Sequence, residues 1–235
     1  MKILVIIPTY NERENINKLS AALIGLKLQS IDILIIDDNS PDGTGAIADE
    51  LKKEYSGRVE VIHRTAKLGM GTAYRDGFRY ALDNGYDVII QMDADYSHRP
   101  EYIPDFLKTL ESADVVIGSR FFENKISVVN WPLGRLALSY VGNKYVNLLL
   151  GLKLYDGTTG FKCISRKVIE KIGPENLKSK GFSFQVELNY LAIKNGFRVV
   201  EIPIVFYNRG KGYSKMTHSI VWEAIMLVLR LKLES

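Results

Sequence analysis

The 235-residue chain holds one cysteine, Cys163, so no intramolecular disulfide can form, as suits a reducing compartment. Cys163 stands in the apolar stretch Phe161-Lys162-Cys163-Ile164 and reads as a small buried hydrophobe rather than a nucleophile. Long apolar runs are also missing. The most apolar segment, residues 216–233, is broken by Glu223, Arg230 and Lys232. Its uncharged run from Ala224 to Leu229 is far below the ~20 residues a membrane span needs. The histidines His63, His98 and His218 have no spacing that suggests zinc. There is no Walker-type loop and no Ser-His-Asp order. Charge of one sign is scarce too. The net charge of +4 does not single out nucleic acid, and none is expected as a partner; phosphorylated ligands or an anionic membrane surface suit it equally. No linker and no repeat interrupts the chain, and 46% hydrophobic with 25% charged residues is ordinary for a globular protein.

What is present is an alternation. Residues 2–7, 31–36, 59–62, 87–92 and 114–117 are short Ile- and Val-rich runs that close on polar residues, the pattern of buried parallel strands. Residues 2–7, followed by Pro-Thr-Tyr-Asn-Glu-Arg with no cleavage site, read as a first strand rather than a signal peptide. Helix-length segments lie between at residues 12–28, 44–55, 72–82 and 101–110. The expectation is an α/β fold, a mostly parallel sheet with helices on both faces. Ligands then bind outside the carboxyl ends of the strands, where Asp37, Asp38, Asp93 and Asp95 stand. After Ser119 the alternation weakens: residues 131–151, 166–172 and 182–195 read as helices and 198–206 as a strand. The chain is expected to be one domain, with residues 1–118 as a ligand-binding half, 119–215 as a continuation that completes the acceptor side and 216–235 as an apolar terminal helix.

The strongest chemical signal is Asp93-Ala94-Asp95 after the run ending in Met92. Two carboxylates two residues apart on an extended chain point to the same side. They repel unless a hard divalent cation lies between them, whose shell a diphosphate would complete. In Asp37-Asp38-Asn39-Ser40-Pro41-Asp42, Ser40 or Asp42 suits a turn and helix cap, and Asp38 suits a nucleotide contact. Tyr10 is placed to stack on a base and Glu12 to accept from its exocyclic amine. Gly69-Met70-Gly71 lacks the dinucleotide glycine pattern and marks a tight approach before a helix. The second half supplies the cations Arg120, Arg135, Arg209, Lys211 and Lys215; the last three stand in a glycine-rich loop that reads either as a cover for a diphosphate or as solvated surface.

Together, Pro8-Thr9-Tyr10-Asn11-Glu12-Arg13-Glu14-Asn15, Asp37 to Thr44, and Asp93-Ala94-Asp95 resemble the inverting glycosyltransferases of family 2. More narrowly they resemble the polyprenol (dolichol) phosphate mannose synthases, as do His63-Arg64-Thr65-Ala66-Lys67, Gly118-Ser119-Arg120, Asn130-Trp131-Pro132 and Ser214-Lys215-Met216. The resemblance implies a GT-A fold, a GDP-mannose donor, a Mg²⁺ or Mn²⁺ ion and a polyprenyl (dolichyl) monophosphate acceptor. It implies that Pro8, Tyr10, Glu12 and Asp38 hold the nucleoside, and that Asp93 and Asp95 sit at the metal and diphosphate. It places Arg120, Arg135 and Ser139 at the acceptor phosphate, and Arg209 and Lys215 at the donor diphosphate or sugar. One departure is Ser97, where some members carry Gln; water is then expected in place of a third protein ligand.

Such an acceptor suits the residues. A phosphate monoester has a second pKa near ~6 and needs no general base at neutral pH, only cations to position it. The alternative is a UDP-glucose or other sugar-nucleotide donor with the same lipid; a non-catalytic nucleotide-sugar-binding subunit is the rival of another class. Trp222, Ile225, Met226 and Leu229 suit docking on a bilayer or on a small membrane-anchoring partner protein, or else packing on the chain's own core. A peripheral protein on the cytoplasmic face of a membrane is expected.

Overall fold

The computed structural model describes residues 1–26, 28, 31–123, 125–208 and 218–233, with the side chains of 218–222 excepted. The strands are β1 (Ile3–Thr9), β2 (Ile31–Asp37), β3 (Val59–His63), β4 (Val88–Gln91), β5 (Val115–Ser119), β6 (Phe121–Phe122), β7 (Lys125–Ile126), β8 (Val128–Val129), β9 (Lys162–Ser165), β10 (Val199–Pro203) and β11 (Phe206–Tyr207). The helices are α1 (Ile16–Gly25), α2 (Thr44–Glu54), α3 (Met70–Asp83), α4 (Ile103–Leu110), α5 (Leu133–Leu150), α6 (Arg166–Ile172), α7 (Phe184–Lys194) and α8 (His218–Leu233).

Seven strands form one sheet in the order β10-β5-β9-β4-β1-β2-β3. Side chains alternate across a strand, so β1 feeds two cores at once. Leu4 and Ile6 join α3, α6, α7 and α8 residues on one face. Ile3, Val5 and Ile7 join α1, α2 and α4 residues on the other. Both faces being covered explains why the strands read as continuous apolar runs. The expected α/β sheet with helices on both faces is the observed architecture.

The two-residue strands β6, β7 and β8 were not legible, and neither was one strand of the main sheet. β9 runs antiparallel to both β4 and β5 and lies between them. Its four residues include a lysine, too short a run to show a period. The consequence is positional: β9 starts at the sheet edge where β4 and β5 end. The expected strand 198–206 is split. β10 stops at Pro203, which has no N–H for a ladder, and β11 restarts at Phe206 beside β8. The helix expected from residue 12 begins at Ile16, because the Glu12 carbonyl closes a turn on the N–H groups of Asn15 and Ile16.

Candidate active site

At the carboxyl ends of β1 and β2 the two adjacent acids part ways. Asp37 is spent on structure: it accepts from the hydroxyls of Thr9 (3.1 Å) and Ser40 (2.5 Å) and from the Ser40 N–H (3.1 Å). Asp42 accepts from the N–H and hydroxyl of Thr44, the first residue of α2, at 3.0 and 2.6 Å. Asp38 faces elsewhere. It is paired with Arg64 at 2.6 Å and accepts from the Gly69 N–H at 3.2 Å. Burial pushes its carboxyl above the usual range, against the pull of Arg64. Glu12 is nearly buried and accepts from Asn15 Nδ2 at 2.9 Å, and the Tyr10 ring lies under the Lys67 ammonium at 4.0 Å. Pro8 stands opposite Ile36 in the ladder.

At the end of β4, the Asp93 side chain is about a third exposed (32%). Its backbone N–H donates to His98 Nδ1 at 3.0 Å, which leaves Nε2 facing Asp93 Oδ2 at 3.8 Å. His98 stacks on Phe161 with ring centres 4.8 Å apart; burial lowers its pKa and keeps it a neutral acceptor. Asp95 Oδ1 accepts from the Ser97 N–H and hydroxyl at 3.1 and 2.5 Å. Ser97 therefore holds the second acid. The return of the chain requires a left-handed turn, with Tyr96 at φ 61°.

A cavity of about 390 Å³ joins Asp93 and Asp95 to Arg120, Arg135 and Ser139. Those five predicted residues share one space. Arg135 and Ser139, four apart on α5, line it together as their spacing requires. Pro8, Tyr10, Glu12 and Asp38 lie outside its lining, at the ends of β1 and β2. Arg209 and Lys215 lie outside the described residues. Arg120 is not a loose cation. It is bidentate with Asp156, Nε to Oδ2 at 2.6 Å and Nη2 to Oδ1 at 2.8 Å, and also reaches Thr158. Asp156 is wholly buried; burial opposes its charge, but Arg120 and Asn143 hold its carboxyl below the ordinary range. Arg135 donates to Asn208 Oδ1 at 2.9 Å and lies 4.1 Å over the Trp131 ring. Leu138, Val141, Tyr145, Val146, Val186 and Ile225 line an apolar trough of the same cavity.

Sequence reasoning missed a buried polar layer under this cavity. Lys162 is fully buried, and its Nζ donates to the Thr159 carbonyl (2.5 Å) and to Gln185 Oε1. Burial lowers its pKa to about 7. The one available signal was a lysine inside an apolar tetrad. Cys163, beside it, is buried and its thiol is pushed up by burial, in keeping with a packing role.

The chain is similar to known proteins over nearly its whole length. A polyprenol monophosphomannose synthase of Mycolicibacterium smegmatis is 47% identical over 96% of this chain and 84% of its own length. An undecaprenyl-phosphate mannosyltransferase of Micrococcus luteus is 43% identical over 98% of this chain and 93% of its own. Among solved structures, glucosyl-3-phosphoglycerate synthase from Mycobacterium tuberculosis, in complex with Mn²⁺, uridine-diphosphate and phosphoglyceric acid, aligns with a TM-score of 0.71. That likeness covers 99% of this chain and 78% of the other at 15% identity, and speaks for the GT-A fold alone. The model of glycosyl transferase family 2 matches residues 4–173. The chain belongs to glycosyl transferase family 2 and is a glycosyltransferase of the GT-A fold.

Proposed function

We propose that this enzyme transfers mannose, with inversion, from GDP-mannose to a polyprenyl monophosphate. One observation carries the reading: a single cavity is lined by the acid pair, by Arg120, Arg135 and Ser139, and by an apolar trough. A phosphate carried on a hydrocarbon chain needs those surfaces together, and the two relatives with lipid-phosphate names support it.

Asp93 and Asp95 offer hard oxygen donors, which suit Mg²⁺ or Mn²⁺. No group of three His, Cys, Asp or Glu among the described residues could hold a metal, so the remaining positions fall to the donor diphosphate and water. When bound, the ion offsets charge on the departing diphosphate. The rest is positioning. The acceptor oxygen bonds to the sugar's anomeric carbon on the face opposite the diphosphate, the bond to GDP breaks, and GDP leaves with the electron pair. No proton must be removed from an ionised phosphate, so no carboxylate base is required. Tyr10, Glu12 and Asp38 suit the guanine nucleoside at the ends of β1 and β2, with Arg209 and Lys215 at the diphosphate or sugar.

The test is transfer to one polyprenyl phosphate from a panel of sugar nucleotides with Mn²⁺. GDP-mannose is expected to be the best donor. Asp95→Ala is expected to cut transfer by on the order of 10³-fold while retaining the wild-type circular dichroism spectrum. Preference for UDP-glucose moves the donor assignment; activity surviving thorough chelation removes the metal.

A further inference from the structure

The buried layer beside the acid pair has a loose end at the cavity. Gln185, in the first turn of α7, is 1% exposed yet lines the cavity with Asp93 and Gly160. Lys162 Nζ donates to Gln185 Oε1, so the amide is turned with Oε1 toward Lys162 and Nε2 facing away. Gln185 Nε2 is buried and has no hydrogen-bond partner among the described residues. A buried amide N–H left unpaired costs on the order of 1–3 kcal/mol and calls for an absent partner.

Gly160 shows where that partner fits. A β-carbon on Gly160 would lie 3.4 Å from Gln185 Nε2 and 3.4 Å from Asp93 Oδ1. Its φ is not in the left-handed region, so glycine is not needed there for backbone conformation. What glycine provides is open space between an amide donor and a carboxylate acceptor. A group seated between them must accept from one and donate to the other. A hydroxyl does both, accepting from Gln185 Nε2 and donating to Asp93 Oδ1.

We propose that Gln185 is a sugar-recognition residue whose Nε2–H donates to a hydroxyl of the transferred hexose, between Asp93 and the bare Cα of Gly160, and that Lys162 is the positioning residue that orients the amide. The proposal rests on the sugar-nucleotide reading above. It accounts for a lysine buried at the start of β9. Antiparallel insertion between β4 and β5 brings residues 159–162 to the edge where Asp93 stands.

The test uses the full chain and compares calorimetric affinity for the sugar nucleotide with that for the free nucleoside diphosphate. Gln185→Met keeps length and removes the donor. It is expected to weaken GDP-mannose binding about tenfold while GDP affinity stays within twofold. Monodeoxy-mannose analogues locate the contact: one analogue is expected to bind wild type and Gln185→Met equally. Gly160→Ala, whose added methyl meets only ordinary contacts, is expected to reproduce the selective loss and guards against misfolding of the first variant. Lys162→Met is expected to give a smaller loss that vanishes in the Gln185→Met background. Equal losses for GDP and GDP-mannose, or none in either Gln185→Met or Gly160→Ala, overturn the proposal. If wild type binds UDP-glucose instead, the donor assignment above fails; the same comparison of UDP-glucose against UDP still decides Gln185.

Discussion

Two arginines line the cavity and are held in different ways. Arg120 is clamped by a buried carboxylate, whereas the contacts of Arg135 include a neutral amide and an indole face. Removing the charge of Asp156 strands the Arg120 guanidinium, so Asp156→Asn is expected to cost about 3–5 kcal/mol in urea unfolding at pH 7. The folded pKa of Asp156 lies below its unfolded value of 3.8. The stability it confers is therefore present above pH 3.8 and is lost as the pH falls through the folded value. The gap between wild type and variant should hold from pH 7 to 5 and close only in stronger acid; closure already at pH 5 would contradict the assignment. Arg135 lines the cavity beside Ser139 and is a cation proposed for the incoming phosphate. Arg135→Ala is expected to lower turnover roughly 30- to 1000-fold, a loss of about 2–4 kcal/mol, with GDP affinity unchanged. Steady-state rates with varied polyprenyl phosphate, beside GDP titrations, check it. A loss confined to GDP binding would remove Arg135 from the acceptor site.

At the scale of elements, the start of α3 explains Gly69-Met70-Gly71. A β-carbon on Gly71 would lie 2.4 Å from the Ser179 carbonyl oxygen, and one on Gly69 2.7 Å from that of Lys180. The Gly71 N–H donates to the Lys180 carbonyl at 2.8 Å. The loop they touch is held from the other side by two carboxylates. Glu187 of α7 accepts from the N–H groups of Lys178 and Ser179, at 3.1 and 2.8 Å. Glu223 of α8 accepts from the Gly181 N–H and the Ser183 hydroxyl, at 3.2 and 2.6 Å. Glu223, which interrupts an apolar run in sequence, is thus one of the ties that dock α8. Gly71→Ala is expected to destabilise by about 1–3 kcal/mol, because backbone must move. Gly134→Ala on α5, with nothing within 4 Å, is expected to be neutral or stabilising by up to ~1 kcal/mol. Calorimetric melting of the two variants checks the contrast; equal shifts would refute it.

For the whole molecule, no helix among the described residues is long and apolar enough to cross a membrane. Of the two sequence readings of the terminal helix, packing on the chain's own core is the one observed; docking on a membrane through the other face is a proposal. Leu227, Val228 and Leu231 of α8 enter the core, while Met226 (50%), Leu229 (42%) and Leu233 (87%) are exposed. α5 also exposes apolar side chains: Leu133 is 82%, Val141 62% and Leu148 84% exposed. α5 also lines the trough, so a bilayer against it would let a lipid enter without crossing water. Leu133→Glu with Leu148→Glu is expected to weaken co-sedimentation with anionic vesicles several-fold, while turnover of a short, water-soluble acceptor is kept. Unchanged sedimentation would move the contact off α5.

Much of this was legible locally. Strands buried on both faces must be apolar throughout, so each declared itself as an Ile- and Val-rich run. The acids that follow them had to fall at the sheet's ligand-binding edge. Tertiary structure alone decided the rest, because it depends on partners distant in the chain. Nothing near Asp37 says that it serves the turn while Asp38 meets Arg64, 26 residues on. Arg120 read as a free cation until Asp156, 36 residues away, was brought beneath it. β9 is too short and too mixed to carry a period, so its antiparallel place between β4 and β5 is set by packing. That placement puts Lys162 and Gln185 behind Asp93: a charge in the core is tolerated only where folding supplies its hydrogen-bond partners, and no local pattern records which residues those will be.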